Sequence, residues 1–261
     1  MKPEILAPLP AISMIEEISG AGSDRLYTGL RNRSREAVAT APDVDDLLAL
    51  ARKNPQLAER VHVALNVVSQ PQEWKALFYS IEALLRRGYR NFIVNEHGFL
   101  RDLSRKFPGA ALTGSVGLTA ANPQDALFLE QLGASAVVMP LTSSPGDVKA
   151  IKNVSSIAVE VFAICRGEPV TQGKCMLAGY LLGKKSPLGE TPLLSSKKTG
   201  LCYTVCRTVL GRYPEHDITG TIGEWVDAGV DIFKIEGRYR NLDEITAMVK
   251  KVKEALKRAG Q

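Results

Sequence analysis

The sequence predicts a single α/β domain of the (β/α)8, TIM-like barrel class, and three observations carry that expectation. Eight short runs rich in apolar residues, at 4–7, 25–29, 62–66, 91–95, 110–114, 136–140, 158–163 and 232–237, have strand character. Segments with helical spacing lie between them. Four times a glycine closes a helical pattern just before a strand, at Gly22, Gly88, Gly133 and Gly229; the residue four positions on is apolar each time (Leu26, Phe92, Val137, Phe233). Glycine just past a helix end supplies the left-handed cap, so this is an αβ unit reused. A doubly wound sheet is the alternative; the count of eight strands favours the closed barrel.

The helices follow in order. The pattern near 12–20 is weak, and one near 43–53 starts at Pro42-Asp43. Residues 72–87 place Trp74, Leu77, Phe78, Ile81, Leu84 and Leu85 at helical spacing. Further helices are expected near 98–106, 123–132 and 145–152. Asn122-Pro123 and Ser144-Pro145 each offer a capping residue followed by proline at the first helical position. Thr221 and Glu224 have the spacing of a capping box for a helix ending at Gly229. The last helix, about 242–258, puts Ile245, Met248, Val249, Val252 and Leu256 on one face.

The 261 residues carry 45% hydrophobic and 23% charged side chains, an ordinary balance for a globular protein. No apolar run reaches the roughly 18 residues of a membrane span. Residues 1–20 do not read as a signal peptide: prolines at 3, 8 and 10 interrupt them and Glu16-Glu17 follow. A cytoplasmic location is the expectation.

All four cysteines, Cys165, Cys175, Cys202 and Cys206, fall in one segment between the predicted strands seven and eight, at 165–207. In a reducing compartment, clustered thiols favour metal or redox chemistry over structural disulfides. Their spacing suits an iron–sulfur cluster better than structural zinc, which usually shows two close pairs. Zinc, redox thiols and unligated thiols remain the alternatives. The same segment holds seven basic residues against two acidic ones, and so contains the whole net charge of +5. That charge suits an anionic partner or compensation of thiolate charge, and a solvated lysine-rich face is the plain alternative. In a barrel this insertion sits on the C-terminal, functional face.

At the predicted strand ends stand Asn66, Asn95-Glu96-His97, Thr113-Gly114-Ser115, Glu160 and Glu236-Gly237-Arg238. Arg238 offers the bidentate fork that holds a carboxylate or phosphate, or else pairs at the rim with Glu236 or Asp243. Glu160, inside an apolar strand, is either a pocket acid or a paired barrel residue. His97 reads as a surface residue capping the next helix, or else as an acid or base; His62 as packed in strand three; His216 as a solvated loop residue. The chain has no Gly-x-Ser-x-Gly elbow, no His-Glu-x-x-His, no Gly-x-Gly-x-x-Gly and no Gly-Lys-Ser/Thr phosphate loop.

Several segments together resemble peptidase family U32, the collagenase-like peptidases. They are Glu4-Ile-Leu-Ala-Pro8 with Asp24-Arg-Leu-Tyr-Thr-Gly29, Val63-Ala-Leu-Asn66, Ser115 through Asn122, Glu160-Val-Phe162 leading into the cysteines, and Lys234-Ile-Glu-Gly-Arg238. The resemblance covers nearly the whole chain. It implies a barrel-like fold and a [4Fe–4S] cluster on Cys165, Cys175, Cys202 and Cys206. It also implies oxygen-independent hydroxylation of an aromatic or heteroaromatic substrate, a ubiquinone precursor or an RNA base, with Glu160, Glu236 and Arg238 binding or polarising the substrate or an anionic oxygen donor. Alternatives are a peptidase, or a non-catalytic iron–sulfur or RNA-binding partner. The chain's size is closer to the family's single-barrel members of the ubiquinone-hydroxylation type, which implies a related member as hetero-dimer partner. Two departures stand out: the first two cysteines are further apart than is usual in the family, and Pro140-Leu-Thr142 replaces an expected Arg-Glu-Leu.

Overall fold

The computed structural model describes residues 2–31, 33–34, 41–67, 69, 71–166 and 215–260. The predicted architecture is present. Strands β1 (Glu4–Pro8), β2 (Arg25–Gly29), β3 (Val61–Leu65), β4 (Asn91–Val94), β5 (Ala111–Gly114), β6 (Ala136–Val138) and β7 (Ala158–Arg166) run parallel and in order. Strand β9 (Ile232–Ile235) lies between β7 and β1 and closes the barrel. These eight strands correspond one to one with the eight predicted runs. Strand β8 (Glu215–Asp217) was not foreseen: it lies antiparallel to the end of β7, pairing Cys165 with His216 and Arg166 with Glu215. His216 therefore belongs to a strand rather than a solvated loop, and one of its ring nitrogens lies 3.1 Å from the Phe162 carbonyl.

The helices between strands are α1 (Ile15–Gly20), α2 (Val44–Lys53), α3 (Pro55–Glu59), α4 (Pro71–Leu85), α5 (His97–Lys106), α6 (Pro123–Gln131), α7 (Pro145–Lys152), α8 (Ile222–Ala228) and α9 (Leu242–Arg258). Asn122 and Ser144 cap α6 and α7, each followed by proline as the sequence indicates. The capping box expected at Thr221 is not formed. The Thr221 hydroxyl turns back to the Ile218 carbonyl (3.4 Å) and makes no cap bond. Capping boxes form instead at Asp43/Asp46, Ser144/Asp147 and Asn241/Glu244. Gly229 ends α8 at φ 97°, a conformation a side chain would strain, and Gly22, Gly88 and Gly133 share it.

Two faces of each strand separate by the period of two. Ile5, Leu26, Val63, Phe92, Val137, Val159 and Phe233 join the large core between barrel and helices, with Leu47, Ile81, Leu103, Val148 and Val249. Leu6, Tyr27, Ala64, Ile93 and Ile232 form a separate cluster inside the barrel. Burial on both faces explains why the strands read as nearly continuous apolar runs. A β-bulge at Phe162–Ile164 breaks the alternation in β7. Ala163 and Ile164 both join the outer core, and Cys165 returns to pack with Phe162, Val138 and Val116. Bulges commonly re-aim a side chain beside a functional site.

Candidate functional site

In a parallel barrel the strand C-termini form one mouth; Glu236 and Arg238 stand there, while Glu160 lies deeper in the barrel, level with Ile232 at the start of β9. Glu160, fully buried in β7, accepts a hydrogen bond from Lys234 Nζ at 2.5 Å. The β7–β9 register sets Phe162 beside Lys234, which puts the ammonium on the inner face. That ammonium lies 4.6 Å from the centre of the Tyr27 ring and 5.7 Å from that of Phe162. Glu160 is thus the paired barrel residue of the two alternatives, but only one of its oxygens is engaged. Oε2 is buried with no hydrogen-bond partner. A buried carboxylate with a vacant acceptor is costly, and such sites are where function concentrates.

Arg238 follows β9 and crosses the mouth. Its Nη1 donates to the Ser34 hydroxyl at 3.3 Å, and its guanidinium carbon sits 5.4 Å from the centre of the Tyr27 ring. Tyr27 therefore meets both Lys234 and Arg238, joining the interior pair to the rim. Gly29, at the end of β2, makes this crossing possible: a Cβ there would fall on the Ser34 hydroxyl and the Arg238 guanidinium. Gly29→Ala is expected to cost about 1–3 kcal/mol in urea unfolding, with part recovered in a Ser34→Gly background. An unchanged unfolding midpoint would show that Arg238 does not need this gap.

Glu236 turns to β7, where its Oε2 accepts from the Arg166 N–H at 2.8 Å. The Arg166 guanidinium lies against the Tyr239 ring, 3.1 Å from its centre. Burial, and then the Glu236 charge, push the Tyr239 phenol up to about 12. On the far side of the mouth the Glu96 carboxylate accepts from Ser69 N–H at 2.6 Å. Burial raises its pKa, the Ser69 bond opposes that, and the charge of Glu73 adds to it. His97 begins α5, exposed, with its ring 5.7 Å from that of Phe128. Ser115 is buried just beyond β5, while Thr113 faces the opposite, N-terminal end of the barrel and lines a cavity there. His62 is buried in β3 as expected, with neither ring nitrogen hydrogen-bonded.

Of the four predicted metal ligands, Cys165 is described: fully buried at the end of β7, among Phe162, Val138 and Val116. Cys175, Cys202 and Cys206 lie outside the described residues, and among the described residues no group of three or more His, Cys, Asp or Glu could hold a metal ion. No helix there is long and apolar enough to cross a membrane. Sequence reading missed Lys234, Tyr27, Ser34 and Gly29. The signal for Lys234 was available: a lone lysine inside Ile-Phe-Lys-Ile, a strand buried on both faces, needs a carboxylate partner.

The comparisons with known proteins agree with this barrel. A solved structure of the U32 peptidase Mk0906 superposes with a TM-score of 0.63 at 11% identity, covering 90% of this chain and 93% of that one. A glycerophosphodiester phosphodiesterase from Parabacteroides distasonis superposes with a TM-score of 0.58 at 11% identity, covering 100% and 99%. At these identities the likeness shows the fold alone. Among curated proteins, the chain is 25% identical over 271 residues to the 23S rRNA 5-hydroxycytidine C2501 synthase of Escherichia coli (strain K12), covering 97% of this chain and 39% of that protein. It is 22% identical over 210 residues to tRNA hydroxylation protein P of the same organism, covering 79% and 43%. The chain thus spans about two fifths of the length of these two relatives. The family model described as Peptidase family U32 matches residues 12–211, most of the chain. The chain belongs to peptidase family U32.

Proposed function

We propose that this chain supports oxygen-independent hydroxylation of an RNA base, with a [4Fe–4S] cluster held by Cys165, Cys175, Cys202 and Cys206 over the barrel mouth. The carrying observation is that both named relatives act by name on tRNA or rRNA and align along the barrel itself. RNA is favoured over a ubiquinone precursor for that reason. The charge distribution along the sequence supports it, since the whole excess of positive charge falls in the cysteine segment. The +5 of residues 165–207 is then the electrostatic match for an RNA backbone.

Cys165 fits a ligand at this place. Its thiol packs with Phe162 at the same end of the barrel as Glu236 and Arg238, and a thiolate is the soft donor such a cluster takes. When bound, such a cluster supplies one-electron transfer. The chain's own residues do the rest. Arg238 holds an anionic group of the substrate or oxygen donor at the rim. Tyr27, buried against the Lys234 and Arg238 cations, holds Arg238 in place, and the Glu160–Lys234 pair beneath it polarises the mouth from below. In the overall change, ring C–H becomes C–OH, and the donor that yields the oxygen takes the two electrons.

The test has two arms. Anaerobically purified protein should contain about four iron and four sulfide per chain, lost in Cys175→Ala. Nucleosides from tRNA and rRNA of cells lacking this chain should miss a hydroxylated base, restored by the wild-type gene and not by Arg238→Ala. Unchanged nucleosides would overturn the RNA reading, and a full cluster in Cys175→Ala would overturn the ligand set.

A further inference from the structure

The opposite end of the barrel holds a feature the hydroxylation reading does not use. At the N-terminal ends of the strands a cavity of about 400 Å³ enters the barrel floor. This is the size of a small-molecule site. His62 lines it from β3, 3% exposed, with both Nδ1 and Nε2 lacking any hydrogen-bond partner. Both nitrogens are sealed from the accessible surface as the ring lies, a cost that a ligand removes when the imidazole turns toward the cavity.

The rest of the wall indicates what kind of ligand. Its partly buried charges are already paired, Arg25 within the wall and Asp231 with Lys152 outside it. Arg25 grips Glu4 through two bonds, at 2.5 and 3.1 Å. The Asp231 carboxylate accepts from Lys152 Nζ at 2.9 Å and from Val159 N–H at 2.7 Å. An ionic ligand would compete with one of these pairs; Lys2 lies only at the solvent-exposed rim. Besides His62, the groups left over are the Asn91 amide and the Thr113 hydroxyl, neither of which makes a side-chain hydrogen bond among the described residues. A neutral imidazole, an amide and a hydroxyl each offer both a donor and an acceptor. That set complements hydroxyl groups better than a carboxylate, which only accepts, or an ammonium, which only donates. Ala136, Ala158 and Ile232 supply an apolar patch for the C–H face of a sugar.

We propose that this floor cavity is a binding site for a small uncharged polyol of pentose size, held by His62, Asn91 and Thr113. The site lies away from the mouth and does not depend on the hydroxylation reading.

The test is histidine-selective NMR of the full chain titrated with D-ribose. The chain has three histidines, and the spectrum of His62→Gln identifies the resonance. A saturable shift of the His62 imidazole is expected, with His97 and His216 unmoved. Thr113→Val, nearly isosteric, should weaken binding roughly five-fold through one lost hydrogen bond. A flat response up to about 100 mM ribose would mean a water-filled cavity and overturn the proposal. Equal affinity in Thr113→Val, or an equal response to acetate, would overturn the assigned contacts and the ligand class respectively.

Discussion

Replacing Lys234 by methionine is expected to destabilise the protein by about 3–5 kcal/mol, because it strands a buried carboxylate. Glu160 is fully buried and already has one oxygen without a partner. Its remaining surroundings include the rings of Tyr27 and Phe162, which the Lys234 ammonium lies beside and which offer no counter-charge. The pair is not itself a source of great stability: desolvating both ions offsets most of their attraction. Glu160→Leu combined with Lys234→Met should therefore recover most of the loss, and a double-mutant cycle by urea unfolding should give a coupling of several kcal/mol (about 2–4). A loss below about 1 kcal/mol in Lys234→Met would show that water reaches Glu160 and that the interior is not dry. If the double variant is as stable as wild type yet inactive, the pair is kept for its chemistry rather than for the fold.

The second large effect is acid sensitivity centred on His62. Burial, and then the charges of Arg25 and Lys234, lower its pKa from 6.5 to about 3. The unfolded chain takes up a proton near pH 6.5 and the folded chain does not until about 3. Acid therefore favours the unfolded state, and stability falls as pH drops through this window. The full span corresponds to roughly 5 kcal/mol, and the part between pH 6.5 and 4.5 to roughly 2 kcal/mol. Asp43 and Asp147, held low chiefly by the backbone N–H groups of Asp46 and Ser144, lose their contributions only at lower pH. Glu96, raised by burial, titrates with the opposite sign but equally in both proteins. The measurement is the difference between wild type and His62→Gln in unfolding free energy at pH 6.5 and 4.5. Parallel pH profiles would mean that the imidazole is protonated in the fold.

The barrel was legible in the sequence because its signals are local. A buried parallel strand reads as an apolar run, and a left-handed glycine such as Gly229 marks where the preceding helix stops. What escaped depends on partners far along the chain. Glu215–Asp217 has no strand propensity of its own and is a strand only because β7 lies beside it. Thr221 and Glu224 have the right spacing, but the Thr221 hydroxyl found a nearer carbonyl. Glu160, Glu236 and Arg238 were singled out by their place at strand ends. The residues that organise them were not, since the Tyr27 bridge and the Gly29 gap arise only when β2 meets β9's continuation across the mouth.

The short β7–β8 ladder has a consequence for how this chain can be re-engineered. Arg166 and Glu215 are directly paired, so the chain leaves the barrel and returns to it at one point on the rim. Barrel closure is made by β9 pairing with β7 on one side and β1 on the other. The cysteine segment is in this sense a cassette on a clasp. A tight turn joining Arg166 to Glu215 should leave the eight-stranded wall intact, and a different cassette should be graftable onto the same clasp.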